Sequence, residues 1–303
     1  MKKIKRYFFI IPILFILFIA GQYYFFNHSY VPQKSSFPIK IEEIRDLCKY
    51  DTLLPTHINA IITGTGELIP WTIAAGEKNI PNQSVLTSFQ IVYANRTVVV
   101  DAPMNEKLFK KYRYGKEFLK ENFYLQQKAM QNADLIIFTH EHIDHMGGIV
   151  NLPNVEALSG NILLTRNQIK SSKIEDVGIN EQFLRKLETL DYKNFFMITP
   201  GIVLIEAPGH SKAHQMIFVK LQNGTEYLLA GDAVWNYANI EKAKNRPLFA
   251  TMFGGENRRQ LGHLIRWLHD LDKNEDIHII PSHDPNVIKH YMKQNLLGKT
   301  LIN

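Results

Sequence analysis

The chain has 303 residues, a formal net charge of +6 and a single cysteine. That length holds one large domain or two modest ones, and the apolar content is ample for a core. Lys2, Lys3, Lys5 and Arg6 carry four of the charges, so the nearly balanced remainder offers no basic stripe for nucleic acid, and the lone Cys48 excludes an intrachain disulfide or a cysteine-rich metal site.

Residues 1–6 form a basic flank. Tyr7–Phe26 follows as an uncharged run of Ile, Leu and Phe. At about 20 residues, such a run predicts a transmembrane helix. The positive-inside bias places residues 1–6 in the cytoplasm and the rest of a single-pass membrane protein outside it, with Tyr23, Tyr24, Phe25 and Phe26 at the outer interface. The competing expectation is a signal peptide cleaved near Ala20-Gly21, which would give a secreted protein. Residues 27–56, with Pro32, Ser35, Ser36 and Pro38, read as a linker and lead-in. Residues 57–303 form the main domain.

Within that domain, short apolar runs predict strands at Asn59–Thr63, Ser88–Tyr93, Thr97–Val100, Leu135–Thr139, Asn161–Thr165, Val203–Glu206, Met216–Lys220, Tyr227–Ala230 and His278–Ile280. The stretch Gly64–Pro70 reads as a loop or turn. Helical patterns cover Glu106–Asn132, broken near Gly115, then Asn180–Leu190 and Arg258–Asp272. The basic run from Lys107 to Lys120 is a solvated helix face or a rim for anionic substrates or lipid headgroups. Strands in two halves, separated by occasional helices, predict two packed sheets with helices outside.

The densest chemistry is His140-Glu141-His142-Ile143-Asp144-His145. His140 and His142 are two apart on an extended segment and point the same way, so they can share a metal. Asp144 and His145 can reach a second one as the chain turns. His210, Asp232 and His283 each follow an apolar strand. Asp232 has two oxygens and is the natural bridge. Five histidines and two aspartates suit zinc best, with iron, manganese or cobalt as alternatives. Two look-alikes fail. Position 144 is Asp, so the helical His-Glu-x-x-His pattern is absent, and the consecutive Ser282-His283-Asp284 cannot converge as a relay. Asp284 is a candidate support for His283 or a plain turn residue, and His214 reads as structural.

In this order the motifs resemble the metallo-β-lactamase superfamily over roughly residues 57–290. The resemblance implies an α+β fold, an αββα sandwich of two mixed β-sheets flanked by helices, with two metals at one sheet edge. It assigns His140, His142 and His210 to the first metal and Asp144, His145 and His283 to the second, with Asp232 bridging. His142 separates the chain from flavo-di-iron reductases, which place Glu there. The Gly231-Asp232 pair separates it from true β-lactamases. The surroundings of Asp232 and His283 resemble the acyl-homoserine lactonase and glyoxalase II branch. Lactonases of that branch carry a Tyr soon after the bridging Asp; this chain has Trp235 there, with Tyr237 nearby, and both are candidate substrate contacts.

The function expected from the resemblance is a two-zinc hydrolase acting on a small-molecule lactone or ester. Asp232 would orient the attacking water and carry a proton, and Asp144 would serve beside it. Phosphodiester or thioester hydrolysis on the same site is the alternative. A redox or non-catalytic metal protein that keeps the scaffold is the reading from another class.

Overall fold

The computed structural model describes the backbone of residues 2–302 and side chains from Ile10 onward. Two five-stranded mixed sheets dominate it. The first contains β1 (His57–Glu67), β2 (Gln83–Val92), β3 (Thr97–Val100), β4 (Glu117–Phe118) and β5 (Leu135–Ile137), in the order β4-β1-β2-β3-β5. A small parallel pair, β6 (Leu164–Thr165) and β7 (Thr189–Leu190), lies between the sheets in sequence. The second sheet contains β8 (Phe195–Thr199), β9 (Ile202–Glu206), β10 (Gln215–Lys220), β11 (Glu226–Gly231) and β12 (His278–Pro281), in the order β12-β11-β10-β9-β8. Each sheet is antiparallel except for one parallel pair, β3 with β5 and β11 with β12.

Strand alternation explains the layers. On β9, Ile202 and Leu204 face the inter-sheet core, where they join Ile58, Phe89, Val98 and Ile137 of the first sheet. Val203 and Ile205 face the other way, onto Leu264, Ile265 and Leu268 of the Arg258–Asn274 helix. On the outer face of the first sheet, Val99 and Ile136 pack under Ala129 and Met130 of the Lys120–Gln131 helix. The result is helix, sheet, sheet, helix, the α+β sandwich expected.

This topology also places the site. β9 and β11 both run antiparallel to β10, and β12 runs parallel to β11, so these three strands end at one edge. β3 and β5 likewise end together. The candidate ligand motifs follow the C-terminal ends of β5, β9, β11 and β12. Gln215 N–H donates to Thr139 O at 2.8 Å and ties the two sheets together there.

Four expectations need correction. Lys2–Phe26 is helical, yet among the described residues no helix is long and apolar enough to cross a membrane. Its end does not form an interfacial belt: Phe25 and Phe26 pack on Phe249 at 5.8 and 5.4 Å between ring centroids, and Phe26 meets Trp71 at 5.5 Å. The transmembrane helix, the membrane partner and the single-pass localisation inferred from that run are therefore withdrawn. Second, the lead-in is not a free spacer, because Ile39, Ile41, Ile44 and Cys48, around the Ile41–Leu47 helix, are buried in the core of the second sheet. Third, Gly64–Glu67 is strand rather than loop; it continues β1 opposite β2. Finally, the predicted Asn180–Leu190 helix shortens to Glu181–Leu184, because Thr189–Leu190 pairs with β6 instead.

Candidate metal centre

β5 ends in a loop that presents His140 and His142, and the Ile143–Met146 turn then raises Asp144 and His145. The structure brings all seven expected ligands into two groups. In each group the donor atoms lie within 4.8 Å of one another: His140, His142 and His210 in one, Asp144, His145, Asp232 and His283 in the other.

In the first group His142 Nδ1 lies 3.1 Å from His140 Nε2 and 2.9 Å from His210 Nε2. Asp232 spans both groups. Its Oδ2 is 3.4 Å from His210 Nε2, while its Oδ1 is 3.0 Å from His283 Nε2 and 3.2 Å from His145 Nε2. Asp144 Oδ2 is 3.5 Å from both of those histidines.

The outer ring nitrogens are already committed. His145 Nδ1 is 2.8 Å from Asp101 Oδ2, His210 Nδ1 is 2.6 Å from Glu256 Oε1, and His283 Nδ1 is 2.7 Å from Val85 O. Each of these oxygens accepts, so each Nδ1 carries the hydrogen and each Nε2 turns a lone pair inward. The second group is thus a set of acceptors, with His145 and His283 Nε2 only 3.3 Å apart and Asp232 Oδ1 buried without a hydrogen bond. Positive charge, supplied by protons or cations, is what such a set requires. The residues therefore fit a pair of divalent cations.

The electrostatics agree. Burial pushes His145 down, but Asp232, Asp144 and Asp101 outweigh it and hold its pKa well above the usual range. His283 is raised against the same burial, by Asp232 first. Burial also disfavours the charged form of Asp232, yet His283, His145 and His210 hold it well below the ordinary carboxylate range. His140 moves the other way: burial and the neighbouring His145, His142 and His210 push it well down. Binding a cation must displace any protons held on the raised pair.

Asp232 is positioned by its surroundings. Trp235 Nε1 donates to Asp232 Oδ2 at 2.9 Å. The backbone N–H of Asp232 donates to His214 Nε2 at 3.0 Å, and His214 Nδ1 donates to Ala207 O at 2.9 Å. Burial pushes the pKa of His214 down to about 3, which keeps Nε2 free to accept. Gly231 has a φ of +54°, and a Cβ there would come within 2.5 Å of His214 Nε2, so the glycine before Asp232 is required on both counts.

Of the two candidate substrate contacts, Trp235 stands at the centre with its N–H committed to Asp232. Tyr237 does not join the cluster; its hydroxyl donates to Asp272 Oδ1 at 2.6 Å. Asp284 caps the Pro285–Lys293 helix and accepts from Tyr237 N at 2.9 Å.

Sequence reading assigned no role in this centre to four residues that shape it. Asp101, after β3, has a φ of +60° and accepts from Thr139 N and Thr139 Oγ1 as well as His145. Glu256 holds His210, and Arg246 holds Glu256 with Nη2–Oε1 at 2.6 Å. Tyr114 donates its hydroxyl to Asp144 Oδ2. Its ring is partly exposed while the hydroxyl end is enclosed. The Glu106–Asn132 stretch delivers it. The chain breaks after Lys111, and Gly115 lies so close to β1 that a Cβ would fall 2.3 Å from Thr65 O. An isolated Asp, Glu, Arg or Tyr gives no periodic signal. Only the break at Gly115 hinted at a close approach.

No family model matches the chain. The N-acyl homoserine lactonase AiiA of Bacillus thuringiensis subsp. kurstaki is 23% identical over 155 residues, which is 49% of this chain and 60% of that protein. An N-acyl homoserine lactonase of Bacillus cereus is 27% identical over 106 residues, 35% of this chain and 40% of that one. The chain thus spans about 60% or less of the curated relatives it matches. Among solved structures, a quorum-quenching N-acyl homoserine lactone lactonase superposes with a TM-score of 0.60 at 21% identity, covering 78% of this chain and 95% of that one. AidC, a dizinc quorum-quenching lactonase in complex with a product, gives 0.53 at 14% identity, covering 78% and 90%. These likenesses show the fold. Together with the sequence matches they support the resemblance to the metallo-β-lactamase superfamily on its lactonase side.

Proposed function

We propose that this chain is a metal-dependent hydrolase of lactone or ester bonds that works with two divalent cations, zinc by the donor set. The carrying observation is Asp232, whose two oxygens face two separate groups of imidazole and carboxylate donors. His140, His142 and His210 would hold one cation, and Asp144, His145 and His283 the other, with Asp232 shared. A pair of divalent cations bound there supplies Lewis acidity toward a carbonyl oxygen and acidifies water at neutral pH.

The chain's own residues do the rest. Asp232, with Asp144 beside it, would orient the water and carry its proton toward the leaving oxygen. Trp235 and His214 fix that carboxylate. Asp101, Glu256 and the Val85 carbonyl fix the imidazole tautomers. The lactone preference rests on the similar lactonases, one of which holds N-hexanoyl-L-homoserine at its catalytic metal centre. The catalytic unit is residues 57–303, with Ile39, Ile41, Ile44 and Cys48 as part of its core.

The test is metal analysis of the purified chain, followed by a panel of lactones, esters, thioesters, phosphodiesters and β-lactams. Two equivalents of zinc and turnover of lactones or esters are expected. A chain that binds no transition metal would sink the proposal, and turnover of phosphodiesters alone would move it to another substrate class.

Tyr114 provides a narrower test. Tyr114→Phe removes only the hydroxyl that donates to Asp144. Outer partners of metal ligands are worth about 10–100-fold in affinity or activity, so the weaker of the two sites should lose zinc about that much more readily to a chelator. Equal zinc retention in both proteins would make Tyr114 a packing residue.

A further inference from the structure

A cleft of about 400 Å³ opens onto His142 and His210, and its walls carry Lys170, Lys173 and Lys212. These cations come from two segments, one after β6 and one just past His210, and they line the same space. The one carboxylate in the wall, Glu141, is 2% exposed, and both of its oxygens are occupied. Ser171 Oγ donates to Oε1 at 2.7 Å and Ser211 Oγ to Oε2 at 2.9 Å. Lys173 has Asp176 at 3.9 Å, and among the described residues Lys170 and Lys212 have no ion-pair partner. Three like charges around one opening repel each other, and an anion between them relieves that repulsion.

We propose that this cleft binds an anionic group, a carboxylate or a phosphate, carried by the substrate away from the bond that is cut. The inference rests on the hydrolase reading and narrows it. The scissile ester or lactone would sit at the His142 and His210 end, with the anion at the lysine end. A neutral acyl lactone would leave the lysines unpaired, whereas an anionic ester would be drawn in at a rate that falls with salt.

The test compares 4-nitrophenyl pentanoate, mono-4-nitrophenyl glutarate and an ester bearing a phosphomonoester in place of the free carboxylate. Each is assayed with the zinc-loaded wild type and with the Lys170→Gln, Lys173→Gln, Lys212→Gln variant. The hydrolysis-resistant anilide of glutarate is titrated into both proteins by calorimetry, and a thermal melt checks that the variant folds. Lys170, Lys173 and Lys212 are exposed, and three exposed pairs are worth about tenfold together. The variant should therefore raise KM for an anionic ester and Kd for the anilide about that much, leave kcat unchanged and leave the neutral ester untouched. The anionic ester with the larger change names the group. The difference should fade at high salt. Equal KM and equal Kd in the two proteins would overturn the proposal. If no ester is turned over, the lactone assays and the metal analysis decide the hydrolase reading, and the calorimetric comparison still decides the cleft.

Discussion

Asp232→Ala is expected to lower hydrolysis by about 10²–10⁴-fold, the range associated with losing a positioned general acid or base, and to reduce the bound zinc below two equivalents. Both effects follow from one geometry. Asp232 is 3% exposed, with Oδ2 3.4 Å from His210 of one donor group and Oδ1 3.0 Å from His283 of the other. Removing it takes the shared ligand from both groups at once. The remaining second-group donors, Asp144, His145 and His283, are left with one carboxylate between them. Asp232→Asn separates the two effects: the amide keeps an oxygen but carries no charge and accepts no proton. Asn should retain more metal than Ala and still turn over poorly. The readouts are zinc content by mass spectrometry and kcat/KM on the best ester of the panel. Wild-type turnover by either variant would remove Asp232 from the mechanism.

Arg246→Ala is expected to destabilise the folded protein by about 3–5 kcal/mol, the cost of leaving one member of a buried ion pair without its partner. Arg246 is fully buried, and its Nε and Nη2 both donate to Glu256, with Nη2 also donating to Asp232 O at 2.9 Å. Its guanidinium lies 4.3 Å from the centroid of the Trp235 ring. Burial opposes ionisation of Glu256, but Arg246 and His210 hold its pKa below the ordinary range. Without Arg246 the carboxylate stays buried with only His210 beside it, and the Trp235 indole that holds Asp232 loses its packing partner. Chemical denaturation measures the change. Pairing Arg246→Met with Glu256→Gln should recover much of the loss, because neither buried charge remains. A single-variant loss below about 1 kcal/mol, typical of an exposed pair, would show that the interior accommodates the lone carboxylate.

The candidate metal ligands could be singled out because their signals are local. His140 and His142 are set by the two-residue period of an extended chain, and Asp144 and His145 by the turn that follows. His210, Asp232 and His283 were found at the ends of apolar runs, a pattern that reflects codirectional strands ending at one edge. The strand set was mostly recovered because strands buried on both faces, such as β9 and β10, read as short continuous apolar runs. The half-exposed β8 was missed, as were the short helices around Tyr237 and Leu248.

The supporting residues were not legible. Asp101, Glu256 and Tyr114 lie 30 to 46 residues from the side chains they hold, and Arg246 reaches Glu256 and Asp232 across 10 and 14 residues. Nothing near them in the chain marks their role. Tyr237, chosen for its closeness in sequence to Asp232, turns to the Arg258–Asn274 helix instead, where Asp272 takes its hydroxyl.

The sequence by itself determined the donor chemistry of the candidate site and the apolar runs that become two packed sheets, because each depends on residue type and short-range pattern. The tertiary structure decided what surrounds them. It set which carboxylate orients which imidazole, where Tyr114 arrives, and that the end of the N-terminal apolar run rests on Phe249 and Trp71. Those outcomes depend on which distant surfaces meet, and hydrophobicity along a chain reports how much apolar area must be covered, never what covers it.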